Sequence, residues 1–176
     1  GRAGGPQRAA ALRDREAFLH VDAAQGFGKV EAGLNDPRID LISVSGHKLY
    51  APKGVGALIY RRRDYKMPPL SPLMYGGGQE RGLRPGTLPV PLVVGLGAAA
   101  ELAMKHQVAR EKACQKIKDA ALKHLTAIGG VPNVPTARSI ASTLNISFPG
   151  LDSEAIMLAL KPLVAISNGS ACTSQS

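Results

Sequence analysis

Three short apolar runs, each stopped by polar or turn-forming residues, constrain this chain more than any other feature. Ala17-Phe18-Leu19-His20-Val21 stops at Asp22, and Ile39-Asp40-Leu41-Ile42-Ser43-Val44 stops at Ser45-Gly46-His47-Lys48. Val55-Gly56-Ala57-Leu58-Ile59-Tyr60 lies between Pro52/Gly54 and a run of arginines. Nearly continuous apolar runs of this length, with turn residues between them, predict strands covered on both faces. The first two end in polar residues, where open α/β sheets present their chemistry.

Residues 66–91 form a Pro/Gly-rich loop running from Met67-Pro68-Pro69 through Gly76-Gly77-Gly78 to Pro89-Val90-Pro91. Loops this long in compact domains tend to be functional. A helix is expected from about 92 to 128, because Leu92, Leu96, Ala99 and Ala103 share one face while Ile117, Ala121, Leu125 and Ile128 share another. Its polar middle, 105–112, suggests a bridge between two packing units, and Gly129-Gly130 ends it. A strand from Thr143 to Phe148 and a helix from Ser153, capped by Asp152 or Ser153, are expected next. The fold class is α/β, with a unit boundary near residue 105: a larger unit over 1–104 and a smaller α+β unit over 105–176.

Composition narrows the function classes. Apolar residues are 44% of the 176, enough for a sizeable core, and disorder is not the expectation. No run approaches ~20 apolar residues, so no membrane-spanning helix is expected. The formal charge of +9 permits contact with anionic surfaces. It is scattered, however; Lys112, Lys116, Lys118 and Lys123 read as a solvated helix face, tryptophan is absent, and a nucleic-acid role is not favoured. Two cysteines, Cys114 and Cys172, make neither a disulfide framework nor a CxxC zinc site, so a reducing cytoplasm or organelle matrix is expected. The chain opens on Gly1 without an apolar leader, which suggests a piece of something longer.

The polar strand ends carry the chemistry. A lysine in a partly desolvated pocket becomes a nucleophilic amine able to attack a carbonyl carbon, and Lys48 follows a buried strand directly. Ser45 and His47 are suitable donors to a phosphate. Taken alone, Ser-Gly-His-Lys equally describes a surface lysine in a turn, and Asp22 equally describes a helix cap. Together, Asp22, Gln25 and Lys48 supply an acid for a pyridine nitrogen, an amide for a ring oxygen and an amine for an imine. Those are the needs of pyridoxal phosphate.

Four segments then resemble, in order, the cysteine desulfurases of the NifS/IscS type. They are His20-Val21-Asp22-Ala23-Ala24-Gln25, Ser45-Gly46-His47-Lys48-Leu49-Tyr50-Ala51-Pro52-Lys53-Gly54-Val55-Gly56, Gly76-Gly77-Gly78-Gln79-Glu80-Arg81-Gly82-Leu83-Arg84-Pro85-Gly86-Thr87, and Ser167-Asn168-Gly169-Ser170-Ala171-Cys172-Thr173-Ser174. The resemblance implies part of a fold-type-I pyridoxal-phosphate enzyme: Lys48 bonded to the cofactor and then moving protons, Asp22 on the ring nitrogen, Gln25 on the ring oxygen, Ser45 and His47 on the phosphate. It further implies that Thr87 reaches the cofactor of a second subunit in a homodimer. Cys172 would take sulfur from L-cysteine, pass it to an acceptor or scaffold protein, and serve at most as a transient iron–sulfur ligand. Iron–sulfur assembly and tRNA or DNA thiolation all remain open as destinations. A selenocysteine lyase or another aminotransferase-like enzyme is the alternative within the cofactor class, and a non-catalytic binding fragment is the alternative outside it. The family's chains are more than twice as long, so the resemblance implies half a site. It departs at Pro85, where many relatives have serine.

Overall fold

A computed structural model describes residues 17–30 and 33–168. The first three runs form a mixed sheet in the order β1-β2-β3, with β1 at His20–Asp22, β2 at Leu41–Ser45 and β3 at Gly56–Tyr60. β1 runs parallel to β2, with His20 opposite Leu41 and Asp22 opposite Ser43. β3 runs antiparallel to β2, with Ser45 opposite Gly56. The mixed α/β architecture agrees with the reading from sequence. The expectation that all three strands are covered on both faces does not hold, since Leu58 and Ile59 of β3 are exposed. Leu19 and Ile39 are buried with Val21 and Ile42 against them, forming one small core.

The helix expected over 92–128 is α1, Val90–Ala127. Pro91 fits the first turn, where its missing N–H leaves no intrahelical bond unmade. At the other end Gly129 takes φ 92°, and the Gly130 N–H bonds the Leu125 carbonyl at 2.9 Å. Left-handed backbone suits glycine there and satisfies an end carbonyl that would otherwise lack a donor. Ala99 and Ala103 are buried as expected, packing with Leu96 and Ala100 on Leu49, Ala51, Phe27 and Val55 to form the second core.

Further along α1 the inward face differs from the expected one. Ile117 and Ile128 are both 70% exposed, while Lys118, expected on the solvated face, is only 4% exposed. Its Nζ donates to the Ser139 hydroxyl and, at 2.9 Å, to the Ile140 carbonyl, tying the following loop back onto the helix. Lys112, Lys116 and Lys123 are exposed.

Beyond the helix, β4 (Val131–Pro132) pairs antiparallel with β5 (Ile146–Ser147). β5 is shorter than the strand expected over 143–148. The last helix, α2, is Ser153–Leu160, capped by Asp152, whose carboxylate accepts the Ala155 N–H at 2.8 Å. Among the described residues no helix is long and apolar enough to cross a membrane.

One charged residue of the second run is nearly solvent-free. Asp40 is 2% exposed and accepts from the Leu19 N–H at 2.7 Å, Arg38 Nη1 at 2.9 Å, and Arg63 Nε and Nη2 at 2.5 and 2.6 Å. Arg38 and Arg63 also donate to the Ala17 carbonyl, and the Arg63 guanidinium lies 4.8 Å from the Phe18 ring centroid. The network holds the chain entering β1 against the start of β2. It also removes Arg63 from the basic triplet 61–63 as a free surface charge.

Candidate active site

The parallel pairing of β1 with β2 decides where the polar residues go. Parallel neighbours end at one sheet edge, and opposed residues share a face. Asp22 closes β1 opposite Ser43, while Ser45 closes β2 two residues further along the same face. Gln25 follows in the turn after β1, and His47 and Lys48 follow in a 3-10 turn, Gly46–Leu49. Five of the predicted site residues therefore gather at the carboxyl edge of the β1/β2 pair.

Local geometry fixes that turn. The Gly46 N–H bonds the Val55 carbonyl at 3.0 Å, and a Cβ on Gly46 would sit 2.6 Å from that oxygen, so only glycine fits. The Ala51 N–H returns to the Gly46 carbonyl at 3.0 Å, and Tyr50 closes the turn in left-handed conformation at φ 68°. Leu49 points into the core beneath, which leaves Lys48 half-buried and His47 exposed. The Asp22 carboxylate accepts the Ala24 N–H at 2.9 Å, and the Ser45 hydroxyl lies 3.0 Å from His47 Nδ1.

Three further side chains belong to this neighbourhood and were given no role from the sequence. His20 and Ser43 lie on the Asp22 face, with His20 Nε2 2.7 Å from the Ser43 hydroxyl. Period-two alternation back from Asp22 points to both. Lys29, seven residues after Asp22, has its pKa lowered by burial and then by the positive charge of Lys48. Thr87 is exposed on the loop three residues before α1, away from this edge in sequence and element. Cys172 lies outside the described residues.

The carboxyl edge of this mixed α/β sheet thus offers an amine, a carboxylate, an amide, a hydroxyl and an imidazole. Residues 6–176 match the family described as Aminotransferase class-V, and the chain belongs to that family. It is 46% identical to the cysteine desulfurase IscS of Rickettsia bellii over 93% of this chain and 40% of that protein. It is 47% identical to the mitochondrial cysteine desulfurase of Drosophila melanogaster over 93% of this chain and 35% of the relative. Among solved structures, DndA from Streptomyces lividans superimposes with a TM-score of 0.82 at 47% identity, covering 94% of this chain and 47% of DndA. The chain spans about two-fifths of the length of the curated relatives it matches.

Proposed function

We propose that this chain carries the lysine-bearing part of a pyridoxal-phosphate-dependent cysteine desulfurase. The observation that carries the proposal is the parallel register of β1 on β2, which sets Asp22 and the Ser45–Lys48 turn at one sheet edge. The donor set fits the cofactor: an acid, an amide, a hydroxyl, an imidazole and a half-buried amine are the groups its ring nitrogen, ring oxygen, phosphate and carbonyl require. When bound, pyridoxal phosphate supplies an electron sink for negative charge developing on an amino-acid carbon.

Within that reading the residues divide the work. Asp22 holds a proton on the ring nitrogen, and its hydrogen bond from Ala24 keeps the carboxylate in a fixed orientation. Gln25 donates to the ring oxygen. Ser45 and His47 bind the phosphate, each already orienting the other. Lys48 anchors the cofactor and afterwards moves protons at the substrate carbon through Nζ. Thr87 serves the phosphate of a second subunit. Support for a homodimer comes from its loop, where Leu73 is 97% exposed and Tyr75 85% exposed, apolar surface suited to a subunit contact.

The Cys172 thiolate takes the sulfur of L-cysteine. An S–S bond forms, the substrate C–S bond breaks, and the substrate carbon gains a proton. The products are L-alanine and a persulfide on Cys172, whose outer sulfur passes to an acceptor protein of iron–sulfur assembly. A cytoplasmic or organelle-matrix setting accords with bacterial and mitochondrial relatives. The division of the chain near residue 105 belongs to the same proposal: the first half of α1 packs on the Lys48 turn and its end on β4.

The test adds pyridoxal phosphate to the chain, reduces with borohydride and maps the pyridoxyl group by mass spectrometry. Labelling concentrated on Lys48, lost in Lys48→Ala and weakened in Asp22→Ala, is expected. Labelling spread evenly over exposed lysines such as Lys53 and Lys66 would overturn the reading. Cys172→Ser is expected to keep the Lys48 label, since the thiol has no part in holding the cofactor.

A further inference from the structure

The Lys48 turn and α1 border a half-open cavity of about 60 Å³ that none of Asp22, Gln25, Ser45 or His47 lines. It has room for a few waters or for a molecule of acetate size. Its walls include Lys29 and Lys48 from the sheet side, Gln107, Arg110 and Glu111 from α1, and Ser142 from the loop that Lys118 ties down. Two features of it call for a ligand. Gln107 Nε2 is buried and has no hydrogen-bond partner among the described residues, and a buried donor in that state costs its full desolvation. Three cationic side chains and one carboxylate, Glu111, line the same space, an excess of positive charge; burial, and then the charge of Lys48, lowers the pKa of Lys29. Arg110 is held at the mouth, its guanidinium 5.5 Å from the Tyr50 ring centroid.

We propose that this cavity binds a small carboxylate of acetate size, gripped by Gln107 and Arg110 on the α1 side of Lys48. A carboxylate has two acceptor oxygens, one for the Gln107 amide and one for the guanidinium. Its charge offsets the excess of Lys29, Lys48 and Arg110 over the Glu111 carboxylate. The largely apolar remainder, with Leu49 and Ala103 among it, suits a short aliphatic body. This site goes beyond the cofactor reading and does not depend on it. Occupancy would alter the electrostatic surroundings of Lys48, which lines the cavity.

The test uses the 176-residue chain, ¹⁵N-labelled and free of pyridoxal phosphate, titrated with sodium acetate at constant ionic strength. Saturable shifts are expected at the Gln107 side-chain amide and at Gly28, with none from the uncharged ester methyl acetate. Arg110→Ala and Gln107→Leu should each weaken binding by at least about fivefold, the effect of one lost hydrogen bond to a charged group. Arg84→Ala, on the distant loop, should leave it unchanged. If Arg110→Ala loses helix by circular dichroism, Gln107→Leu alone decides the matter. Equal shifts from methyl acetate, no saturation, or binding indifferent to the α1 variants would overturn the site. Tighter binding of inorganic phosphate at the same residues would overturn the carboxylate assignment. Since no cofactor is present, failure here leaves the Lys48 labelling result standing, and the reverse holds.

Discussion

Replacing Asp40 by asparagine tests whether the buried ion network holds the sheet together. The change preserves shape but turns one acceptor oxygen into a donor. Asp40 accepts four charge-assisted hydrogen bonds, three of them from guanidinium groups, so the new NH₂ must face a cation. Removing one side of a buried ion pair costs about 3–5 kcal/mol. Against a total stability on the order of 5–15 kcal/mol, that is a large loss. For a chain of this length about 3 kcal/mol corresponds to a melting shift of roughly 6–12 °C. Burial of Asp40 opposes its ionisation, but the Arg63 hydrogen bonds, the Leu19 N–H and the Arg38 contact outweigh it, and its pKa is lowered. A group with a depressed folded pKa contributes stability above its unfolded value, and that contribution is lost as pH falls through the folded value. The melting difference between wild type and Asp40→Asn should therefore be constant from pH 8 to about pH 5 and shrink only below about pH 4, the ordinary aspartate range. Thermal unfolding followed by far-UV circular dichroism across that pH series measures it. A shift under about 2 °C at pH 7, or a difference that grows on acidification, would refute the reasoning.

Other perturbations act on single contacts. Gly46→Ala forces a Cβ to within 2.6 Å of the Val55 carbonyl; it should cost about 1–3 kcal/mol in urea unfolding and reduce pyridoxyl labelling of Lys48. Lys118→Met removes the donor to the Ile140 carbonyl, with an expected loss of about 1–3 kcal/mol and faster amide exchange over 136–142. An unchanged exchange rate there would mean the lysine does not tether the loop. Asp152→Ala deletes the cap of α2 and should lower stability by about 1 kcal/mol, with hydrogen exchange rising first in residues 153–156.

Much of the fold was legible because its signals are local. Three runs became three strands, and the periodicity of 92–103 picked the buried face of α1, since each pattern completes itself within a few residues. What failed was long-range. The choice of Ile117 and Ile128 as an inward face followed from counting apolar residues, whereas the actual face turns toward Lys118, whose oxygen partners lie 21 and 22 residues away. Asp40 looked like a polar interruption of an apolar strand, and nothing nearby announces that Arg63, 23 residues on, satisfies it. The antiparallel turn of β3 was equally silent, and with it the exposure of Leu58 and Ile59.

The chemical residues were easier to find than the structural ones, for a physical reason. Asp22 and the Ser45–Lys48 turn each sit where an apolar run stops, and in a parallel pair both strands stop at the same edge. A sequence that marks two strand ends therefore also marks a shared site, provided the pairing is parallel. Had β1 run antiparallel to β2, the same residues would lie at opposite edges and the motif would have meant nothing. The cavity behind Lys48 has no such marker: Gln107 and Arg110 meet Lys29 only because α1 crosses the Lys48 turn, a contact that no local spacing encodes.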